Sequence, residues 1–424
     1  MKPNHTTFSW SSQVRKAVFL QLIVLSLLIL SACHPSKNRH DTIVLNDYRV
    51  FYDGQDKGYS TIGGHFIQNE DEITGVFIGE TFGSVDSDYS TGKSPFLISS
   101  KDTGKTWSVP MLFGRELIIN PEEREKEALG LTIFGPTKDG TLICQGNQFI
   151  EGEKGSGSVK DPEWRDHTLI IGRKEKNAGD FTYNYYPGGT FLGEQFMDGW
   201  LQLPSGRIVF TIWGAKNKGE NWRCGVMLSD DDGISWKYRD VAYEPDINIR
   251  DKPEVIAGFN EQSLFLTEGG KLISIIRGRD KLGRVEASPR DTWFLRSESK
   301  DNGETWSEYE LTNVPGTGAA AIGLTLPDGS LLHACRIPYS RDMYELPEPE
   351  CYGLHFVRSF DEGKTWQTEH FIQRDPEGSP FRNYYNVMNG QFLKVNAHEW
   401  LYIFGHFDMA NNIYRILSCT LTIE

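Results

Sequence analysis

Ser100-Lys101-Asp102-Thr103-Gly104-Lys105-Thr106-Trp107 is one of four copies of a single phrase, Ser-x-Asp-x-Gly-x-Thr/Ser-Trp. The others are Ser229–Trp236, Ser299–Trp306 and Ser359–Trp366, with Ser235 where the rest have Thr. Self-similarity of this kind marks a repeat architecture. The chemistry of each copy is that of a tight turn between strands. An Asp carboxylate folds back onto nearby backbone N–H groups, and a Gly supplies the positive φ that such a turn requires. Asp102, Asp231, Asp301 and Asp361 are therefore read as turn residues rather than catalysts, because a reaction needs one site and not four. The Trp that closes each copy starts the next strand and packs against the blade.

A second repeat lies between these copies: apolar strand, turn with Gly, apolar strand. It reads Leu201–Phe210, Leu264–Ile273 and Leu324–Leu332, with weaker versions at Gly135–Ile143, His65–Ile78 and Phe392–Phe404. Helical periodicity is nearly absent. Six units follow, beginning near residues 64, 131, 196, 259, 319 and 388, each a hairpin of strands 1 and 2 with the Asp-box joining strands 3 and 4. The second and sixth units lack a clean Asp-box, and Arg173–Phe181 is a degenerate stand-in. This predicts an all-β chain: a six-bladed β-propeller of four-stranded antiparallel blades, with residues 42–52 closing the ring against the last blade and hiding the sheet edges. A jelly roll or a β-helix does not predict a repeat of this length.

In a propeller the inner strands line a central funnel, so candidate site residues recur at equivalent blade positions. Counting from the turn glycines Gly270 and Gly329 makes Arg277 and Arg336 equivalent, both at the end of a strand 2. The same count puts Glu80, Asn147, Trp213 and Gly405 at that position in the other blades. Two arginines from neighbouring blades can clamp a carboxylate through forked hydrogen bonds. Solvated surface arginines are the alternative, and it is weakened by the apolar strand that precedes each.

The chain has 424 residues and a net charge of −14. Arg15 and Lys16 precede an apolar run, Ala17 to Leu30, that is short for a membrane span of about 20 residues. Leu30-Ser31-Ala32-Cys33 follows. Residues 1–33 are thus expected to be a signal peptide with a lipobox ending at Cys33, and residues 34–41 a tether before a propeller spanning 42–424. The expected location is a bacterial cell envelope, with Cys33 lipidated as the membrane anchor and the propeller a monomer. The acidic balance argues against nucleic acid as a partner. The cysteines at 144, 224, 335, 351 and 419 have no zinc-ligand spacing, so no metal and no cofactor is expected. One bridge, Cys335–Cys351, is conceivable, and buried free thiols are the favoured reading.

With these Asp-boxes the chain resembles the sialidase (neuraminidase) superfamily over residues 42–424. Asn260-Glu261-Gln262-Ser263, followed sixteen residues after Glu261 by Arg277, is similar to the sialidase segment carrying the Glu that partners the nucleophile and one Arg of the carboxylate-binding triad. Asp88, with Asp86 beside it, lies where the resemblance places the acid/base. The implied nucleophile is a Tyr, Tyr384 or Tyr385, although the hairpin count puts that position near Asn389. The resemblance is incomplete. The first-blade Arg is missing from Gly58–Phe66, where His65 stands instead, and no Arg occupies Glu350-Cys351-Tyr352, so Arg336 or Arg341 would have to substitute. The implied substrate is a glycan with a terminal acidic sugar. The alternatives are another glycoside or uronic-acid substrate, and a non-catalytic glycan-binding propeller.

Overall fold

The computed structural model describes residues 41–52, 59–69, 72–81, 94–114, 127–150, 168–192, 196–217, 222–243, 259–278, 293–315, 323–337, 353–373, 387–408 and 413–424. One compact unit spans Ile43–Glu424. Among the described residues every regular element is a strand, and they form six four-stranded sheets.

Blade 1 is β2 (Tyr59–Asn69), β3 (Glu72–Thr81), β4 (Ser94–Ser100) and β5 (Met111–Leu112); β1 (Ile43–Tyr52) precedes it. Blade 2 is β6 (Glu127–Phe134), β7 (Leu142–Ile150), β8 (Thr168–Lys174) and β9 (Thr182–Tyr186). Blade 3 is β10 (Phe196–Gln202), β11 (Ile208–Gly214), β12 (Arg223–Ser229) and β13 (Lys237–Ala242). Blade 4 is β14 (Asn260–Leu266), β15 (Leu272–Gly278), β16 (Trp293–Ser299) and β17 (Glu310–Pro315). Blade 5 is β18 (Leu324–Thr325), β19 (Leu331–Ile337), β20 (Gly353–Ser359) and β21 (Gln367–Gln373). Blade 6 takes β22 (Val387–Lys394), β23 (Glu399–Asp408) and β24 (Ile413–Ile423), and β1 completes it as the outer strand, antiparallel to β24 from Ile43↔Ile423 to Tyr52↔Ile416. The ring closes as the sequence predicts. Closure also explains why blade 6 has no Asp-box: its third and fourth strands come from opposite ends of the unit, so no turn joins them.

Strands buried on both faces account for the near-continuous apolar runs. In β11, Ile208, Phe210 and Ile212 pack into the cluster shared with blade 2, while Val209 and Trp213 pack toward blade 4. Each of the six seams between blades has its own apolar cluster. Among the described residues the buried apolar side chains gather at these seams. Two buried glutamines tie seams at the inner strands. Gln262 Nε2 donates to Ile212 O and Gly225 O, at 3.1 and 2.6 Å, across blades 3 and 4. Across the closure, Phe66 N–H donates to Gln391 Oε1 at 2.8 Å, and Gln391 Nε2 donates to Phe66 O.

The four Asp-boxes share one geometry. In each, the Gly N–H donates to the Ser Oγ at 2.8 Å. The N–H of the Thr/Ser two residues later donates to the Asp Oδ1, also at 2.8 Å. The hydroxyl of that same residue donates to the other carboxylate oxygen, and the first Ser donates to Oδ1. These carboxylates are spent on turn structure. The Thr106 and Thr305 hydroxyls, the largest influences, help hold Asp102 and Asp301 below the usual carboxylate range. A further regularity is tertiary. The residue before each Gly has positive φ, and its carbonyl accepts from an arginine of the preceding blade: Arg49 to Thr103 O, Arg173 to Asp232 O, Arg207 to Asn302 O, Arg296 to Glu362 O, at 2.6–3.1 Å.

Cys335 is a free buried thiol, as is Cys419, so the conceivable Cys335–Cys351 bridge is not formed. Burial pushes the Cys335 thiol up, and that of Cys419 to about 12.

Candidate active site

The register of β14 against β15 positions the site. Asn260 pairs with Arg277 and Gln262 with Ile276, which leaves Glu261 as the extra residue of a β-bulge. Glu261 has φ 42°. A non-glycine residue in this region is strained by about 1–2 kcal/mol, and bulges re-aim side chains. Here the bulge turns the Glu261 carboxylate onto Arg277, whose Nη1 donates to Oε2 at 2.5 Å. The pair is mostly but not fully covered, with side-chain exposures of 13% for Arg277 and 21% for Glu261. Arg277 Nε is buried and has no hydrogen-bond partner among the described residues. Among the described residues Glu261 is the one side-chain hydrogen-bond partner of Arg277, engaged through Nη1, so the other terminal nitrogen keeps donor capacity.

Blade equivalence follows from the register with the Asp-box serines. Ser100, Ser229, Ser299 and Ser359 face Ile73, Ile208, Leu272 and Leu331. Five residues further along each second strand come Ile78, Trp213, Arg277 and Arg336. Arg277 is therefore separated from its own Asp-box by the length of β15, about 17 Å at the usual strand rise. The Asp-box carboxylates occupy the opposite end of each blade from the Glu261–Arg277 pair.

The BNR repeat-like domain family matches residues 190–400. A solved structure of a Dyadobacter fermentans protein of unknown function is similar over 90% of this chain and 99% of that one, at 16% identity and a TM-score of 0.64. Trypanosoma rangeli sialidase in complex with sialic acid is similar over 89% of this chain and 54% of that one, at 14% identity and a TM-score of 0.54. Penicillium chrysogenum α-L-arabinanase complexed with arabinobiose is similar over 89% of this chain and 97% of that one, at 10% identity and a TM-score of 0.52. No curated protein matches the sequence. The fold is that of a sialidase-like six-bladed propeller.

Within this sialidase-like propeller the residues singled out in the sequence have different outcomes. Glu261 and Arg277 are brought together. Arg336 sits in β19 at the position equivalent to Arg277, one blade on, where its backbone pairs with Leu354. Glu80 does not hold the equivalent position in blade 1: the register gives it to Ile78, and Glu80 lies two residues beyond, opposite Ser60. The cause is a shorter hairpin. Asn69 pairs with Glu72, with two residues between them, where the hairpins of the other five blades close a longer connection of the type Thr267 N–H to Lys271 O.

His65 lies in β2, the inner strand of blade 1. It pairs with Val76, well along β2 from the Ser60 end, and its ring packs edge-on against Phe134 of blade 2 with centroids 5.2 Å apart. Burial lowers its pKa to about 4, so it is a neutral packing histidine at the seam of blades 1 and 2. Asp86, Asp88, Arg341, Tyr384, Tyr385 and the lipidation candidate Cys33 lie outside the described residues. Asn389, where the hairpin count puts the nucleophile, is the bulged residue of β22, between Met388↔Gly405 and Gly390↔Phe404, in the same relation to its blade as Glu261. Among the described residues no three His, Cys, Asp or Glu side chains gather to hold a metal ion.

Sequence reasoning missed Trp222. It lies just before β12, and its ring meets that of Trp213 with centroids 5.0 Å apart and planes at 55°. Its carbonyl accepts from Phe259 N–H at 3.1 Å, two residues before Glu261. Only the pairing of the two blades puts it there.

Proposed function

We propose that this protein is an exo-acting glycoside hydrolase of sialidase type that releases a terminal sialic acid or related acidic sugar from glycans. The observation that carries the reading is the Glu261–Arg277 pair: a strained, bulged Glu aimed at an arginine whose other terminal nitrogen keeps donor capacity. In this reading Arg277, with Arg336 or Arg341 from the neighbouring blade, holds the sugar carboxylate by charge-assisted hydrogen bonds. Tyr384 or Tyr385 attacks the anomeric carbon, with Glu261 drawing the phenolic proton. A Tyr nucleophile suits an anomeric centre that already bears a negative group. Asp88 protonates the leaving oxygen and then activates water. Neither a metal nor a cofactor enters these steps. We also propose that lipidated Cys33 tethers the propeller, as a monomer, to a bacterial envelope, a reading that rests on the Leu-Ser-Ala-Cys ending alone. The test of the activity is release of sialic acid from 3′-sialyllactose by wild type, Glu261→Gln and Arg277→Ala. The mechanism predicts losses of at least a hundredfold in both variants, and full activity in either refutes it.

A second reading, hydrolysis of a different glycoside on the same scaffold, has its own support. The innermost strand of blade 1 carries no arginine, and the chain spans nearly the whole of the arabinanase but about half of the trypanosomal sialidase. A wild type that leaves sialosides intact and cleaves a neutral or uronic-acid glycoside would decide for it.

A further inference from the structure

Glu261 lies between two anchors that tie its strand to blade 3. Two residues before it, Phe259 N–H donates to Trp222 O at 3.1 Å. Directly after it, the Gln262 side chain is fully buried, and both polar atoms of its amide are engaged. Nε2 donates to Ile212 O at 3.1 Å and to Gly225 O at 2.6 Å, spanning two residues that face each other across β11 and β12. Oε1 accepts from the buried Ser274 Oγ at 3.0 Å. The reverse placement of oxygen and nitrogen would set an oxygen against two carbonyls, so the chemistry admits one orientation.

The alternation of the strand shows what this amide does. Gln262 lies opposite Ile276, which packs with Leu264 in the cluster shared with blade 3. Asn260 lies opposite Arg277, and Ile275, two residues from Arg277, packs toward blade 5. Residues two apart share a face in a regular strand. Asn260 and Gln262 therefore keep these adjacent partners only if the residue between them is extra, and that residue is Glu261. Apolar packing sets the register from Leu264 onward, and Gln262 carries it to the residue beside the bulge. Removing the bulge by sliding the Gln262 end would turn its side chain to the other face. The amide would lose its acceptors, and two buried carbonyls would lose a donor. Removing it from the other end would break the Phe259 to Trp222 bond.

We infer that Gln262 is a positioning residue: its cross-blade amide fixes Glu261 as the bulged residue and so aims the Glu261 carboxylate at Arg277. The effect on turnover rests on the glycosidase reading of that pair, whereas the effect on the bulge does not.

Two measurements test the assignment. The first needs no substrate and reads the gap between the thermal transitions of Glu261→Gly and Glu261→Ala. With Gln262 in place the Gly variant is expected to melt higher, because only Gly takes φ 42° freely. Gln262→Met keeps the length of the side chain and removes the amide, and in that background the gap is expected to shrink to less than half. A gap that keeps more than half its size, or no gap with Gln262 in place, overturns the assignment. Should Gln262→Met not fold, Gln262→Glu keeps the shape and, in the acid form that burial favours, one donor. It is read by the same criterion.

The second measurement is kcat/KM for 3′-sialyllactose. Gln262→Met is expected to lower it at least tenfold in the otherwise wild-type protein, but less than twofold in Glu261→Gln, where no carboxylate remains to be aimed. A loss by the same factor in both backgrounds marks a merely structural role and overturns the assignment. If wild type cleaves no sialoside, the sialidase reading fails by itself, and the thermal gap alone decides the role of Gln262.

Discussion

Replacing His333 with Leu should remove an acid-sensitive element from the seam of blades 4 and 5. His333 is 1% exposed, and neither ring nitrogen has a hydrogen-bond partner among the described residues. It sits among the rings of Phe265, Phe294 and Trp366, with centroids 5.1–5.9 Å away for Phe294 and Trp366. Burial lowers its pKa from 6.5 to about 3. The folded protein therefore holds it neutral while the unfolded chain takes up a proton below 6.5. Stability is complete above 6.5 and is lost as pH falls toward 3. Each unit is worth 1.36 kcal/mol, so moving from pH 7.5 to 4.5 costs about 2.7 kcal/mol at this one residue. His65, lowered to about 4 by burial, adds a loss of the same sign, but it is present in both proteins and cancels in their difference. The assay is guanidinium unfolding of wild type and His333→Leu at the two pH values. The stability of the variant relative to wild type should rise by about 2–3 kcal/mol on acidification, whatever the repacking costs at pH 7.5. A difference that stays constant between the two pH values refutes the argument.

Three further outcomes are expected. Glu261→Gly and Glu261→Ala remove the same carboxylate, but only Gly accepts φ 42° without strain, so the Gly variant should be more stable in thermal unfolding by about 1 kcal/mol while both lose activity. Gln391→Leu strips the Phe66 N–H and C=O of their partners at the ring closure. With both groups left unsatisfied it should lose about 2–5 kcal/mol in chemical denaturation, and a loss below 1 kcal/mol would show that the closure does not depend on this clamp. Cys33→Ser should move the protein from the membrane fraction to the soluble fraction of a bacterial host, and unchanged sedimentation would remove the lipid-anchor proposal.

The parts of this molecule that could be read from sequence are those whose physics is local. An Asp-box closes on itself within eight residues, so its Ser, Asp and Gly announce the turn wherever it falls. The closing strand was legible because Thr42–Tyr52 is strand-like with no partner nearby in sequence. The count from turn glycines placed Arg277, Arg336 and Trp213 correctly because their hairpins share one turn geometry. It slipped by two residues at Glu80, where the hairpin is shorter and has no turn Gly. The bulge that turns Glu261 was not legible, since nothing in Asn-Glu-Gln-Ser demands a positive φ. The arginine contacts to Thr103, Asp232, Asn302 and Glu362 were not legible either, because each joins residues 54–95 positions apart.

Those arginine contacts explain why the repeat and the chemistry can sit at opposite ends of the blades. An arginine that reaches the carbonyl at the positive-φ position of the next blade's Asp-box fixes that turn to its neighbour. With the outer turns linked in this way, and six apolar seams between the sheets, the spacing of the blades is set away from the axis. The ends of the second strands are then free to differ. Blade 3 presents Trp213, blade 4 Arg277, blade 5 Arg336 and blade 6 Gly405 at one structural position. In the proposed reading, exchanging those residues would change the ligand without disturbing the turns. Functional divergence on this scaffold should therefore leave the Asp-boxes intact and appear in the residue five places after each box-facing position, along with the bulge beside it that carries Glu261 in blade 4 and Asn389 in blade 6.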